Sequence, residues 1–346
     1  MALVLFRADA DPVMGTGHVM RCLAVAEALA DLGHAARFAA VALTATLEAR
    51  LAAAGFPSHR IDAPAGSAAD AGRTLALASG LEAATVVIDG YHFDEAFRAA
   101  LRAGGGRRMA TFDDLGATPL HADVVVNPSL HAAALPYHRL APGARLLLGP
   151  NCLPLRRDIR RAARSPAPPL PERRALLLSF GGSDPLGLTL PCLERLAPEL
   201  AEGERLLLVV GGSDPRAGAV LARAVALGDR VEAHHDTPDM GALMARCGLA
   251  VSAGGGTIGE LAAIGVPPLV VVVADNQAPA AMEAAGQGWC RMIDARGDDP
   301  SRAAGRIAAQ ALALWRAPPT RVAMAARLGG RVDGQGAERV ARALAP

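Results

Sequence analysis

The sequence predicts an α/β protein of two Rossmann-like, doubly wound domains facing a central cleft. Three observations predict it. Short apolar strands alternate with alanine-rich helical segments through both halves of the chain, the pattern of βαβ units on a parallel sheet. A proline- and arginine-rich stretch breaks that rhythm near the middle. The length of 346 residues suits two domains at about 150 residues each.

In the first half, Leu3 to Phe6 is a strand, followed by a helix from about Met20 to Leu32. Ala36 to Ala40 is a second strand, and Thr85 to Asp89 is a third whose uninterrupted apolar run suits a strand buried on both faces. Arg108 to Phe112, Val124 to Val126 and Arg145 to Leu148 complete the set. Pro154 to Arg174 combines charge with four closely spaced prolines and lacks an apolar period, so it reads as an interdomain linker. A second series follows: Ala175 to Phe180, Leu206 to Val210, Arg230 to Ala233, Leu249 to Ser252 and Leu269 to Val273. Helical segments from about Pro300, including Gly336 to Leu344, end the chain. The expected domains are therefore 1–153 and 175–346, joined by 154–174. Ligands of such sheets bind outside the carboxyl ends of the strands.

Composition narrows the function classes. With 35 basic and 34 acidic residues the formal net charge is +1, which argues against a nucleic-acid partner. Lysine is absent, so arginine, backbone N–H groups and helix dipoles must hold any anion. Five scattered cysteines at no metal-ligand spacing suggest reduced thiols and a cytoplasmic protein. No leader pattern and no apolar run near ~20 residues is apparent, so neither secretion nor membrane insertion is expected.

Two segments carry the chemistry. Gly15-Thr16-Gly17-His18-Val19-Met20-Arg21 lies between a strand and a helix, where the backbone around Gly17 faces a natural anion site. His18 adds a group that exchanges a proton near neutral pH. Such a histidine can equally cap a helix, and Gly-x-Gly is common in turns that bind nothing. In the second half, Ser252-Ala253-Gly254-Gly255-Gly256-Thr257-Ile258-Gly259-Glu260 follows a strand and opens a helix. Gly255 permits close backbone approach, Thr257 stands at the helix N-terminus, and Glu260 can accept two ribose hydroxyls. The next strand ends in Asp275-Asn276-Gln277, a polar trio suited to a polyhydroxylated ligand. Glycine loop, helix, strand and polar trio in this order read as a sugar-nucleotide site.

With these motifs the chain resembles the nucleotide-binding half of GT-B proteins that use UDP-sugars. The N-terminal motif narrows this to a resemblance to the UDP-sugar hydrolases of the pseudaminic acid pathway. It rests on Phe6-Arg7-Ala8-Asp9, Gly15 to Leu23, Val87-Ile88-Asp89-Gly90-Tyr91, Phe112-Asp113-Asp114, Val126-Asn127-Pro128, Gly149-Pro150-Asn151, Ser179-Phe180-Gly181-Gly182-Ser183-Asp184 and Val332 to Ala337. The resemblance implies an inverting hydrolysis of UDP-2,4-diacetamido-2,4,6-trideoxy-β-L-altropyranose, with no cofactor and no metal. It makes His18 the general base and Gly181, Gly182 and Ser183 the phosphate loop. Glu260 becomes the ribose carboxylate, Asn276 and Gln277 the sugar-facing amides, and Tyr91 a sugar neighbour. The family often has histidine where Gly90 stands, and here Tyr91-His92 follow.

The physics agrees with that assignment, because loop amides and helix N-termini can stabilise departing UDP. Asp113-Asp114 reads as packing and hydrogen bonding at a strand end. His234-His235-Asp236 reads as a loop after a strand, near the base, rather than a metal site. Arg7 and Asp9 either orient the His18 loop or form a structural salt bridge. Arg21 reads as structural or phosphate-side. Activity is expected to fall as the pH drops through the imidazole range. The partner is then a small-molecule UDP-sugar, and the protein a monomer. The alternatives are a GT-B glycosyltransferase with a UDP-sugar donor, or a non-catalytic sugar-nucleotide-binding protein.

Overall fold

The structure is a computed structural model that describes residues 1–11 and 14–345. It divides into two units, one of Met1–Arg157 with Gly334–Pro346 and one of Asp158–Asp333.

The first unit is built on seven strands: β1 (Leu3–Ala8), β2 (Ala35–Ala40), β3 (Ser58–Arg60), β4 (Thr85–Asp89), β5 (Arg108–Phe112), β6 (Val124–Asn127) and β7 (Arg145–Leu148). They pair in parallel in the order β3-β2-β1-β4-β5-β6-β7. Successive side chains point to opposite faces, and both faces are apolar. Val4, Phe6, Val87 and Phe112 pack with the helix Gly17–Asp31. Leu5, Val86, Ile88 and Met109 pack with the helices Ala68–Gly80 and Glu95–Ala103.

The second unit holds β8 (Ala175–Ser179), β9 (Arg205–Val210), β10 (Val231–His235), β11 (Cys247–Ala253), β12 (Pro268–Val272) and β13 (Arg291–Asp294). They pair in parallel as β10-β9-β8-β11-β12-β13. In each sheet the strand order reverses once, at β1/β4 and at β8/β11, and such switch points open a crevice at the strand carboxyl ends.

The structure departs from the sequence expectation in five places. The helix expected from Met20 begins at Gly17, so His18 stands in its first turn. The edge strands β3 and β13 add to the expected set, being three and four residues long and partly polar. The stretch 154–174 is not a plain linker: Arg157–Arg164 is a helix that buries Ile159. It docks in the second unit, where Asp158 accepts from the Gly241 backbone N–H at 3.1 Å.

The division also falls differently from 1–153 and 175–346. The last helix, Gly336–Leu344, buries Ala337, Val340, Ala341 and Leu344 in the core of the first unit. The Thr85 hydroxyl donates to the Leu344 carbonyl at 2.8 Å. The apolar stripe on this helix needs a partner, and the helix Gly17–Asp31 supplies it. Finally, His234 and His235 lie within β10, not in the loop after it. As neighbours in a strand they face opposite ways; His234 pairs with Glu232 at 2.9 Å.

All five cysteines are free and buried. Among the described residues, no helix is long and apolar enough to cross a membrane.

Candidate functional site

In the first unit the chemistry collects at the carboxyl ends of β1, β4 and β5. The register pairs Ala8 with Asp89 and Ile88 with Thr111, so these strands end side by side. His18 reaches this edge from the first turn of the helix after β1. Gly17 is the first residue of that helix, preceded by Thr16, whose side chain makes no cap bond.

His18 Nδ1 lies 2.7 Å from Asp89 Oδ1. Asp89 is the last residue of β4 and is fully buried. Arg21, one turn beyond His18, donates to the same carboxylate through Nε at 2.6 Å and Nη2 at 2.6 Å. Its Nη1 reaches both oxygens of Asp114 at 3.1 and 3.0 Å. Tyr91 sets its ring edge-on to His18, with centroids 4.7 Å apart, and donates its hydroxyl to Asp114 at 3.1 Å.

The electrostatics follow from burial and pairing. Burial alone would raise the Asp89 carboxyl, but Arg21 and His18 outweigh it and hold the group below the usual carboxylate range. Burial and the neighbouring Asp114 push the Tyr91 phenol up to about 12, so it stays a donor. An ionised Asp89 can only accept, so it requires the His18 proton on Nδ1. That leaves Nε2 with its lone pair, the tautomer a general base needs.

Sequence reading missed the roles of Asp89 and Arg21. The signal was available: an aspartate ending an otherwise apolar buried strand is costly unless paired, and Arg21 stands at the i+3 position from His18.

A second buried cluster neighbours this edge. Arg7 lies fully buried between Asp9 at 2.7 Å and Asp70 at 2.6 Å. Asp9 also accepts from the Val41 backbone N–H at 2.6 Å, fixing the chain after β2. The other Asp9 oxygen lies 2.9 Å from His92 Nε2. The His92 and Phe93 rings fill the space beside Gly90, where a Cβ would come within 2.8 Å of His92 and 2.9 Å of Phe93. Glycine at position 90 matches that filling. Asp113 accepts from the Tyr137 hydroxyl at 2.8 Å and from the Gly116 N–H at 2.7 Å, an internal role.

In the second unit, two loops flank the β8/β11 switch point. Gly181, Gly182 and Ser183 follow β8, with Gly181 at φ +80°. Asp184 then turns the chain at φ +41° and accepts from the N–H groups of Leu188 at 3.0 Å and Thr189 at 2.8 Å. The same Gly-Gly-Ser-Asp-Pro sequence recurs after β9 as Gly211 to Pro215. The two copies interlock: a Cβ at Gly211 would collide with the carbonyls of Gly181 and Gly182, and Ser213 N–H donates to Gly182 at 2.9 Å. Arg216 completes the lacing. It donates to Asp214 at 2.9 Å, to the Ser183 carbonyl at 3.2 Å and to the Asp184 carbonyl.

Across the switch point, Gly255 and Gly256 are exposed, Thr257 opens the helix Thr257–Ile264, and Glu260 lies in its first turn. Asp275, Asn276 and Gln277 form a short 3₁₀ turn after β12. Gln277 Oε1 accepts from Gly254 N–H at 3.2 Å and Val273 N–H at 3.1 Å, stapling two strand ends. With its oxygen so used, the Gln277 amide has N–H donors left for a ligand. Asp275 pairs with Arg296 at 2.6 Å. Among the described residues, no three His, Cys, Asp or Glu side chains gather as a metal-ion site.

No family model and no curated protein matches the chain. Solved structures do. MurG from Acinetobacter baumannii is 18% identical, covers 99% of this chain and 99% of its own, and superposes with a TM-score of 0.62. Phytolacca americana UGT2, solved with UDP-2fluoro-glucose and pterostilbene, is 12% identical over 98% of each chain, with a TM-score of 0.63. Anabaena Alr3699/HepE in complex with UDP-glucose is 15% identical over 99% of this chain and 98% of its own, with a TM-score of 0.57. At these identities the likeness shows the fold: the chain has the GT-B fold of two Rossmann-like units.

Proposed function

We propose that this protein hydrolyses a UDP-linked 2,4-diacetamido-2,4,6-trideoxy sugar at its anomeric carbon, releasing UDP and the free sugar with inversion. The observation that carries the reading is His18 Nδ1 held 2.7 Å from the buried carboxylate of Asp89, an arrangement that favours the proton on Nδ1 and frees Nε2 to accept one. Two of the similar structures were solved with a UDP-sugar, which favours this ligand class.

In the proposed reaction His18 Nε2 takes a proton from water as the water oxygen bonds to the anomeric carbon. The bond from that carbon to the UDP oxygen breaks, and its electron pair leaves on the pyrophosphate. The imidazole returns its proton to solvent, and Asp89 stabilises the transient imidazolium. Charge on UDP is met by backbone N–H groups around Gly181, Gly182, Ser183, Gly255 and Thr257. Glu260 holds the ribose, while Asn276, Gln277 and Tyr91 face the sugar. Gly17 keeps the backbone low beside the reacting centre.

The test is UDP release from the 2,4-diacetamido UDP-sugar without acceptor, with UDP-N-acetylglucosamine as the control and the product anomer read by NMR. Release with inversion that His18→Ala abolishes supports the reading. Binding without release, followed by turnover when an acceptor hydroxyl is added, replaces it with a glycosyltransferase. Binding with no turnover under either condition would leave a sugar-nucleotide-binding protein.

A further inference from the structure

We propose that Arg21 is a positioning residue that holds Asp89 and opposes protonation of the His18 ring, with Asp114 drawing off part of its positive charge; this rests on the reading of His18 as the proton acceptor.

A buried carboxylate beside an imidazole favours the imidazolium. Left alone, Asp89 would orient His18 and also favour its protonated form, which works against a base. The arrangement around Asp89 answers that conflict. Asp89 Oδ1 receives His18 Nδ1 at 2.7 Å and Arg21 Nη2 at 2.6 Å, so one oxygen serves both groups. The same Nη2 stands 3.5 Å from His18 Nδ1, close enough for its charge to oppose a second proton on the ring.

The guanidinium is held in place from three sides. Asp89 takes it side-on through two nitrogens. Asp114 takes Nη1. The Phe112 ring lies beneath, 4.8 Å from Cζ to centroid. A planar fork serving two carboxylates at once suits arginine and not lysine.

The titratable groups facing His18 come from three elements. Arg21 is on its own helix, and Asp89 ends β4, with Tyr91 just beyond. Asp114 follows β5 and reaches the ring through Arg21 and Tyr91. Cys22 points its thiol at Asp89 Oδ2, 3.5 Å away, and burial together with that carboxylate keeps it protonated. The cluster therefore holds two carboxylates and one guanidinium around the imidazole. Removing Arg21 leaves two uncompensated negative charges; removing Asp114 commits Arg21 to Asp89 alone.

The experiment is an NMR titration of the His18 ring in the full-length protein, assigned by the resonances that disappear in His18→Ala. Arg21→Gln is expected to raise the His18 midpoint by about 1–2 pH units. Arg21→Lys is expected to shift it upward by less, since the charge remains but an ammonium cannot bridge both carboxylates as the fork does. Asp114→Asn, at a partly exposed position, lowers it. A midpoint that stays put or falls in Arg21→Gln overturns the proposal; so does an unchanged or raised midpoint in Asp114→Asn, which decides the matter if Arg21→Gln does not fold. Because the readout is the ring itself, a wild-type protein that releases no UDP would sink the hydrolase reading and leave this test intact. Where UDP release is present, the acid limb of kcat/KM moves with the NMR midpoint.

Discussion

Asp89 shows how one side chain can do more than its type suggests. It accepts hydrogen bonds from His18 and Arg21 and is excluded from solvent. Its effect on His18 is directional, because an acceptor at Nδ1 dictates which nitrogen carries the proton. In Asp89→Asn the amide can offer N–H to Nδ1 and stabilise the other tautomer, placing the proton on Nε2. By the measure of tautomer-disrupting changes in His–Asp pairs, kcat for UDP release should fall by about 10³–10⁴, with KM changed by less than about threefold. Steady-state kinetics checks this, with far-UV circular dichroism to verify the fold. A loss of less than about tenfold would remove Asp89 from the mechanism.

At the scale of elements, the paired Gly-Gly-Ser-Asp-Pro loops illustrate how a short motif acquires a shape. Side by side on β8 and β9 they leave no room for a Cβ at Gly211, and Arg216 ties the second loop to carbonyls of the first. Arg216 is partly exposed and bonded to Asp214, Ser183 and Asp184, so it orders the loop that the proposed function assigns to phosphate. Arg216→Ala is therefore expected to weaken UDP binding by roughly tenfold, the scale of losing one or two charge-assisted hydrogen bonds. Its kcat at saturating substrate should change little. Isothermal titration with UDP reads the first effect; equal affinity for wild type and variant would show that the lacing is dispensable.

The element scale also marks where pattern reading stops. The central strands are legible because each apolar run is short and bounded by turn residues, which favours a strand buried on both faces over a helix. The strands β3 and β13 are not, since edge strands of three or four residues carry no period. The start of the helix at Gly17 is hidden for a related reason. Glycine is a poor helix former, and the motif Gly-Thr-Gly reads as turn until the backbone is seen.

Across the whole molecule, the two units carry different burdens of buried charge. The first holds Asp9 and Asp89 well inside, paired with Arg7 and Arg21. Burial works to raise both carboxyls, yet hydrogen bonds and the arginines bring both below the usual range. A carboxylate depressed in the folded state adds stability that is complete above its unfolded value, about 4, and is lost as the pH falls through the folded value. In the second unit Asp184 and Asp214 are also buried and bonded, and Glu232 is drawn down to about 2 chiefly by its hydrogen bonds from Arg246, but the Glu232 side chain is 36% exposed. Solvent screening makes such a surface pair worth little.

Acid should thus undo the first unit before the second. The chain supplies its own reporters: both tyrosines, Tyr91 and Tyr137, lie in the first unit, and both tryptophans, Trp289 and Trp315, lie in the second. On titration below pH ~4, tyrosine signals are expected to change before tryptophan fluorescence does. Coincident transitions would show that the buried Arg–Asp network does not set acid stability.

Much of this protein was settled locally. Apolar runs of strand length, glycine turns after them and helical spacing beyond them determined two parallel α/β units, because each signal depends only on residues within a few positions. The same local signals pointed to His18 and to the glycine loops at the strand ends. What only the tertiary structure decided is which distant groups meet there. Asp89 lies 71 positions from His18, and Asp114 lies 93 from Arg21, yet strand register sets them within hydrogen-bond reach. The last helix crosses back to the first unit for the same kind of reason: its apolar stripe marks it as needing a partner but not which one. Pairing across such separations is fixed by sheet order and by the cost of burying an unpaired charge, neither of which is written in any short stretch of the chain.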